Sequence, residues 1–182
     1  MKIILETERL ILREMVMEDS DSFEKTYADA EVMKFTGNGS VMTREETEQS
    51  IRVMLEKYYP KYGFGLWTTV LKSTNEALGR CGLLYWEIEG KPETEIAYLL
   101  KEAAWGMGYG MEAARAIRDH AFKNFPAERL ISLMYPDNKA SENVALKNGI
   151  NFLQESKMFG ATMAMFGISR GDWLNEEAGG EF

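Results

Sequence analysis

Trp105-Gly106-Met107-Gly108-Tyr109-Gly110-Met111-Glu112-Ala113 stands past the middle of the chain, and its reading decides the fold. A strand-like run, Thr94 to Leu100, precedes it. A helical pattern with Ala114, Ile117 and Ala121 on one face follows. A strand, three closely spaced glycines and a helix together make a site for an anion. The first N–H groups of a helix have no internal partner, and the helix dipole adds partial positive charge there. Glycine lets the backbone approach a ligand without a Cβ in the way. Two familiar versions of this device do not fit. Counting from Gly106, the dinucleotide fingerprint Gly-x-Gly-x-x-Gly needs a glycine where Met111 stands, and the Gly-Lys-Ser/Thr of a P-loop is absent. On the glycines alone, a phosphate site and a plain tight turn are equally good readings.

Working upstream, Phe64 to Leu71 is aromatic and β-branched, Lys72 to Glu76 is a turn cluster, and Ala77 to Trp86 is the return strand. Alternation along the next strand puts Ile96, Tyr98 and Leu100 on one face and Glu95, Ala97 and Leu99 on the other. Arg9 to Arg13 alternates as a first strand, and Asp19 to Ala28 reads as a polar helix. Thr43-Arg44-Glu45-Glu46 has capping-box spacing, with Thr47, Ile51, Met54, Leu55 and Tyr58 at helical period behind it. Pro60 and Gly63 are expected to end that helix. Downstream, Arg129 to Met134 reads as a strand and Lys139 to Asn148 as a helix closed by Gly149. Phe152 to Phe159 and Ala161 to Ile168 form an antiparallel pair around Gly160. The order predicts an α/β (α+β mixed) fold: a central, mostly antiparallel mixed sheet of about seven strands with helices on both faces. One domain is expected over residues 1–174, followed by a disordered tail, 175–182.

The chain has 182 residues, with 21 Lys+Arg against 29 Asp+Glu, a net charge of −8. An acidic chain with no basic block has no footprint for phosphate backbones, which argues against nucleic acid as a partner. A basic substrate such as an amine suits the field better. One cysteine, Cys81, and one histidine, His120, exclude an internal disulfide and a Cys/His zinc site. No metal is expected. His120 falls inside a predicted helix, so a Ser-His-Asp triad or Cys-His pair is not expected either. No run approaches a membrane span and the first residues are charged too soon for a signal peptide, so a cytoplasmic protein with no membrane partner is expected.

The segment Trp105 to Ala113 resembles the acetyl-CoA motif of the GNAT acetyltransferases, and is most similar to their ribosomal-protein N-acetyltransferase-like, RimJ/RimL-type branch. Other segments resemble that family in the same order. Thr7-Glu8-Arg9-Leu10-Ile11-Leu12-Arg13 is similar to its opening strand and Val32-Met33-Lys34-Phe35-Thr36-Gly37 to its first substrate-side loop. Glu95-Ile96-Ala97-Tyr98 is similar to its Glu-Ile-Gly-Tyr strand, Asn138 to Asn143 to its Asn-x-x-Ser helix start, and Gly149-Ile150-Asn151-Phe152 to the following turn. The register holds over nearly the whole chain. Met107 departs from the pattern where a basic residue or Gln is common, and Ala97 replaces a usual glycine.

The resemblance implies that an acetyl group passes from acetyl-CoA, as co-substrate, directly to a primary amine in one ternary complex. The amine is the nucleophile, so the protein needs none. An alkylammonium, with a pKa near ~10, must first lose a proton, and a carboxylate is the natural base. The resemblance puts that role on Glu95. It puts the oxyanion donors among the backbone N–H groups near Ala97 to Leu99, and the hydroxyl beside the leaving thiolate on Ser141. The implied cofactor contacts are Ala97, Leu99, Leu100, Trp105, Gly106, Met107, Gly108, Tyr109, Gly110, Asn138 and Ser141. Asn138 also suits a plain N-cap. Phe35, Trp67 and Tyr85 are the aromatic candidates to wall the acceptor site, with core filling as the alternative reading for each. Cys81 is expected to be strand filling. Similar proteins commonly form homodimers. A reading from another class is a GNAT-fold protein that binds CoA or a partner without turnover.

Overall fold

The computed structural model describes residues 2–158 and 160–179. Its eight strands are β1 (Ile3–Glu6), β2 (Leu10–Arg13), β3 (Leu66–Leu71), β4 (Glu76–Ile88), β5 (Lys91–Leu100), β6 (Arg129–Met134), β7 (Asn151–Met158) and β8 (Ala161–Ser169). They form one sheet in the order β1-β2-β3-β4-β5-β6-β8-β7. Every neighbouring pair is antiparallel except β5 and β6, which run parallel. The sheet has one strand more than the sequence suggests. The extra strand, β1, is an edge strand with no buried face, so its residues carry no alternation to read.

The helices are α1 (Ser20–Tyr27), α2 (Ala30–Met33), α3 (Arg44–Val53), α4 (Tyr59–Tyr62), α5 (Tyr109–Asn124), α6 (Lys139–Lys147) and α7 (Arg170–Gly179). The capping box at α3 forms as expected: Thr43 Oγ1 accepts from the Glu46 N–H at 3.2 Å and the Glu46 carboxylate accepts from the Thr43 N–H at 2.7 Å. Pro60 does not end the helical run. A π-turn at Met54–Tyr58, in which the Tyr59 N–H reaches back to the Met54 carbonyl, carries the chain past the missing proline donor into α4. Gly63, at φ +73°, then closes it, its N–H bonded to the Tyr59 carbonyl at 2.9 Å.

The sheet separates two apolar layers. On one face α5 packs Ala113, Ala114, Ile117 and Ala121 onto Leu10, Cys81, Ile96 and Leu130, all essentially buried. On the other, α1, α2 and α3 pack Phe23, Tyr27, Met33 and Ile51 against Leu66, with Ala97 and Leu99 at its edge. Each large side chain so buried contributes about 1.5–3 kcal/mol. Residues 175–179, expected as a disordered tail, are the last turns of α7. Glu176 there pairs with the buried Arg118 at 2.7 Å, which holds the helix end down. Residues 180–182 lie outside the described residues, as does Phe159. Among the described residues, no helix is long and apolar enough to cross a membrane.

Candidate active site

The site begins where the sheet fails to close. β5 and β6 share a single ladder pair, Glu95 opposite Ile131, and part beyond it. The Ser132 hydroxyl bridges the start of the gap by donating to the Ile96 carbonyl at 3.2 Å. Backbone groups of alternate strand residues point to opposite edges. The Ile96 carbonyl faces the gap, so the N–H groups of Tyr98 and Leu100 face it too. The sequence reading put the donors among Ala97 to Leu99; the register selects Tyr98 from that stretch and turns Ala97 and Leu99 toward β4.

The gap opens into a cleft of about 710 Å³. Its inner wall carries Glu95, Ala97, Leu99 and Leu100, its rim carries Trp105, Gly106, Gly108 and Gly110, and α6 adds Asn138 and Ser141. Phe35 lines the opposite side with Thr36 and Gly37. These expected site residues are therefore brought together.

The side chains of four others stand outside the cleft. Trp67 is buried in the core, its ring edge-on to His120 at 5.8 Å, on the α5 face. Tyr85 points away from the cleft and stacks on Tyr62 at 5.0 Å. Alternation explains Tyr85: its neighbours on β4, Leu84 and Trp86, are the ones that line the cleft. The side chain of Met107 is exposed and its carbonyl is held by Arg9 Nη1 at 2.9 Å. Tyr109 lies under the Arg9 guanidinium, 4.6 Å from its centroid, outside the cleft lining.

Glu95 is buried, with its carboxylate at the mouth of the gap. Trp86 Nε1 donates to Oε2 at 2.5 Å and the Leu133 N–H donates to Oε1 at 3.2 Å. These two bonds favour the charged form, but removal from water outweighs them and pushes the carboxyl up to about 7. A carboxyl group in that range is poised as a base at neutral pH. Trp86, unremarked in the sequence, is legible there only through its pairing: it projects on the Glu95 face because Leu84 is the residue opposite Glu95.

The glycine turn supplies donors. Gly106 and Gly108 adopt φ +73° and +80°, which a side chain resists. Gly108 is the N-cap of α5, and the first intrahelical bond at that end runs from the Glu112 N–H to the Gly108 carbonyl, at 3.0 Å. The N–H groups of Tyr109, Gly110 and Met111 lie ahead of it and remain available to an anion. Across the cleft, Asn138 caps α6, its Oδ1 accepting from the Ser141 N–H at 3.1 Å. Tyr98 donates to the Ser141 carbonyl at 3.1 Å, which fixes the start of α6 against β5. His120 and Cys81 take no part. Burial pushes the Cys81 thiol up to about 12, and neither residue lines the cleft.

An anion-binding turn, a strand gap and a buried carboxyl at its mouth fit a pyrophosphate, a pantetheine arm and a reacting amine in sequence. Comparison with known proteins bears on the family. The model of the acetyltransferase (GNAT) domain matches residues 9–151. The uncharacterized protein YkkB of Bacillus subtilis is 32% identical over 168 residues, 91% of this chain and 95% of that one. A crystal structure of an acetyltransferase from Agrobacterium tumefaciens is 28% identical and superposes with a TM-score of 0.75 over 90% of this chain and 92% of that one. RimL, a ribosomal alpha-N-protein acetyltransferase solved in complex with coenzyme A, is 19% identical, with a TM-score of 0.75 over 92% of this chain and 98% of its own. The chain belongs to the GNAT family of acetyltransferases.

Proposed function

We propose that the protein is an acetyl-CoA-dependent N-acetyltransferase of the RimJ/RimL type, acting on a primary amine within a ternary complex. The observation that carries this reading is Glu95: a buried carboxyl pushed up to about 7, at the point where β5 and β6 part. Acetyl-CoA supplies the activated acyl group. The protein's own residues do the rest. The glycine turn offers its N–H groups, with Met107 supplying no basic side chain, so anion recognition there rests on backbone. The Tyr98 and Leu100 N–H groups offer hydrogen bonds along the gap, and an oxyanion beside them would be stabilised. Asn138 and Ser141 bound the far wall, and the Ser141 hydroxyl is the donor available to a leaving thiolate. Glu95 takes the ammonium proton, directly or through a water. Phe35, at the opposite wall, contacts the acceptor.

Calorimetry with acetyl-CoA and an amine panel read by free-thiol release tests this. Binding at micromolar ligand with amine-dependent thiol release is expected. No binding at millimolar acetyl-CoA would overturn the reading. Binding without thiol release from any amine would reduce the protein to a CoA-binding module.

A further inference from the structure

Among the described residues, the Arg80 guanidinium in the cleft has no counter-ion. It sits on β4 opposite Leu99 of β5 and lines the cleft beside Val32. Its guanidinium lies over the ring of the fully buried Tyr27, 4.7 Å from the centroid. Among the described residues, no hydrogen bond or ion pair reaches it. The other partly or wholly buried arginines are engaged: Arg9 with Glu112, Arg13 with Asp19, Arg118 with Asp119 and Glu176, Arg129 with Glu93, and Arg170 with the carbonyls of Phe122, Phe125 and Ala127. The acidic residues that share the cleft are already engaged. Glu31 pairs with Lys34 at 3.9 Å, and Glu95 accepts from Trp86 and Leu133. An unmatched guanidinium packed over an aromatic ring is a local receptor for an anion, set against the net charge of −8 of the chain as a whole.

The sheet says which anion. Directly opposed residues of an antiparallel pair project on the same face. Arg80 with Leu99, and Leu84 with Glu95, therefore share one face. That face is the one covered by α1 and α3, to which Tyr27 belongs. The glycine turn leads into α5, which packs on the other face. Arg80 thus shares the face of the base, at the end of β5 that leads toward the glycine turn. Glu95 and Leu99 are four residues apart, about 13 Å along the strand. A free α-amino acid, with one carbon between amine and carboxylate, does not bridge that distance. An extended peptide of three or four residues does.

We propose that Arg80 binds a carboxylate of the acceptor, and that the acceptor is an acidic peptide whose amino terminus reaches Glu95. This rests on the acetyltransferase reading of the cleft. The same chemistry could serve a phosphate of acetyl-CoA, so the test separates the two sources. The probes are Ala-Gly-Gly-Glu-amide and Ala-Gly-Gly-Gln-amide, which differ only in one negative charge, together with acetyl-CoA alone. The wild-type protein should acetylate the Glu peptide with kcat/KM about tenfold or more above the Gln peptide. Arg80→Gln should bring that ratio to about one through KM, Arg80→Lys should keep part of it, and acetyl-CoA affinity by calorimetry should stay within about twofold in both. A wild-type ratio of one, with transfer to neutral amines intact, overturns the Arg80 assignment and leaves the acetyltransferase reading standing. So does an Arg80→Gln protein that keeps the ratio and loses acetyl-CoA affinity, which would give the guanidinium to the cofactor. Should the variants fail to fold, the wild-type peptide ratio alone decides. Transfer to no amine of any kind overturns both readings together.

Discussion

Arg9 and Glu112 are joined at 2.6 Å, Nε to Oε2, across 103 residues of chain. The bond is one strand of a brace. Glu112 Oε1 also accepts from the Arg9 N–H at 2.9 Å and from the Thr7 hydroxyl at 2.5 Å, while Arg9 Nη1 donates to the Met107 carbonyl. The opening of the sheet is thereby tied to the glycine turn and the first turn of α5. Glu112 would otherwise put an unneutralised carboxylate beside an anion site. With Arg9 beside it, the Glu112 carboxyl is held below its usual range by the hydrogen bonds of Thr7 and Arg9, against a desolvation that pushes the other way.

Arg9→Ala should therefore weaken acetyl-CoA binding about tenfold and leave kcat at saturating acetyl-CoA within about twofold, because the turn is loosened and the base is untouched. Arg9→Lys, which cannot bridge both Glu112 and Met107 with one fork, should recover only part of the loss. Calorimetry with acetyl-CoA checks both. The ion pair is partly exposed, so its loss alone should cost the fold less than about 1 kcal/mol.

Glu95 sets the pH dependence. The base works as carboxylate, so kcat/KM should climb with pH and level off above about 7. Glu95→Gln should lower kcat about a hundredfold and remove the inflection. Stability should move in the opposite sense. A carboxyl held at about 7 in the fold and at 4.5 when unfolded binds more protons in the native state across that window. Stability from this group is full below the unfolded value and falls as pH rises toward 7. Chemical denaturation of wild type and Glu95→Gln at several pH values would show the wild type losing stability across that range and the variant not. Parallel curves would contradict the burial cause.

The fold was legible wherever a buried face imposed a period. β6 falls where the residues 129–134 predict it, and Ala114, Ile117 and Ala121 are buried as their spacing requires. β1 lacks a buried face and Pro60 carries a stop signal that the π-turn overrides, so both were misread. At the site, the glycine turn and the Asn138 cap are legible as local pattern, whereas the role of Glu95 is implied only by the family resemblance. Trp67 and Tyr85 did not belong, because an aromatic residue on a strand lines whichever face its register assigns it, and that register depends on a partner strand. Trp86, Ser132 and Arg80 owe their place at the site to the same cross-strand pairing.

The loop after α2 is strapped over the cleft. The Tyr135 hydroxyl donates to the Gly37 carbonyl at 2.6 Å, and the Phe35 and Tyr135 rings lie 6.2 Å apart. Phe35 and Gly37 line the cleft, so this bond holds its acceptor wall. Tyr135→Phe removes the hydrogen bond and keeps the ring. A loss of about 1 kcal/mol in strap closure corresponds to a KM for the amine raised about fivefold, with acetyl-CoA affinity unchanged. Steady-state kinetics with each substrate varied in turn would detect it. An effect confined to acetyl-CoA would show that the strap serves the other substrate.

Gly79 carries β4 past a close approach to β5. It sits at φ +148°, and a Cβ built there would lie 2.2 Å from the Leu99 carbonyl oxygen and 2.9 Å from the Leu100 Cα. Both obstacles are backbone of β5, the strand that walls the cleft, so neither can rotate away. Gly79→Ala must push β4 from β5 at the register that aligns Arg80 with Leu99. The expected cost is about 3 kcal/mol or more, a fall in Tm of roughly 6–12 °C for a domain of this size. Gly90→Ala provides the comparison. Its φ is +73°, but a Cβ there meets nothing within 4 Å, so only the backbone conformation resists, at about 1–2 kcal/mol. Thermal melts of the two variants side by side separate close packing from conformational strain. Equal losses would mean that β4 and β5 can part at Gly79 without cost, and the cleft wall would then be softer than its burial implies.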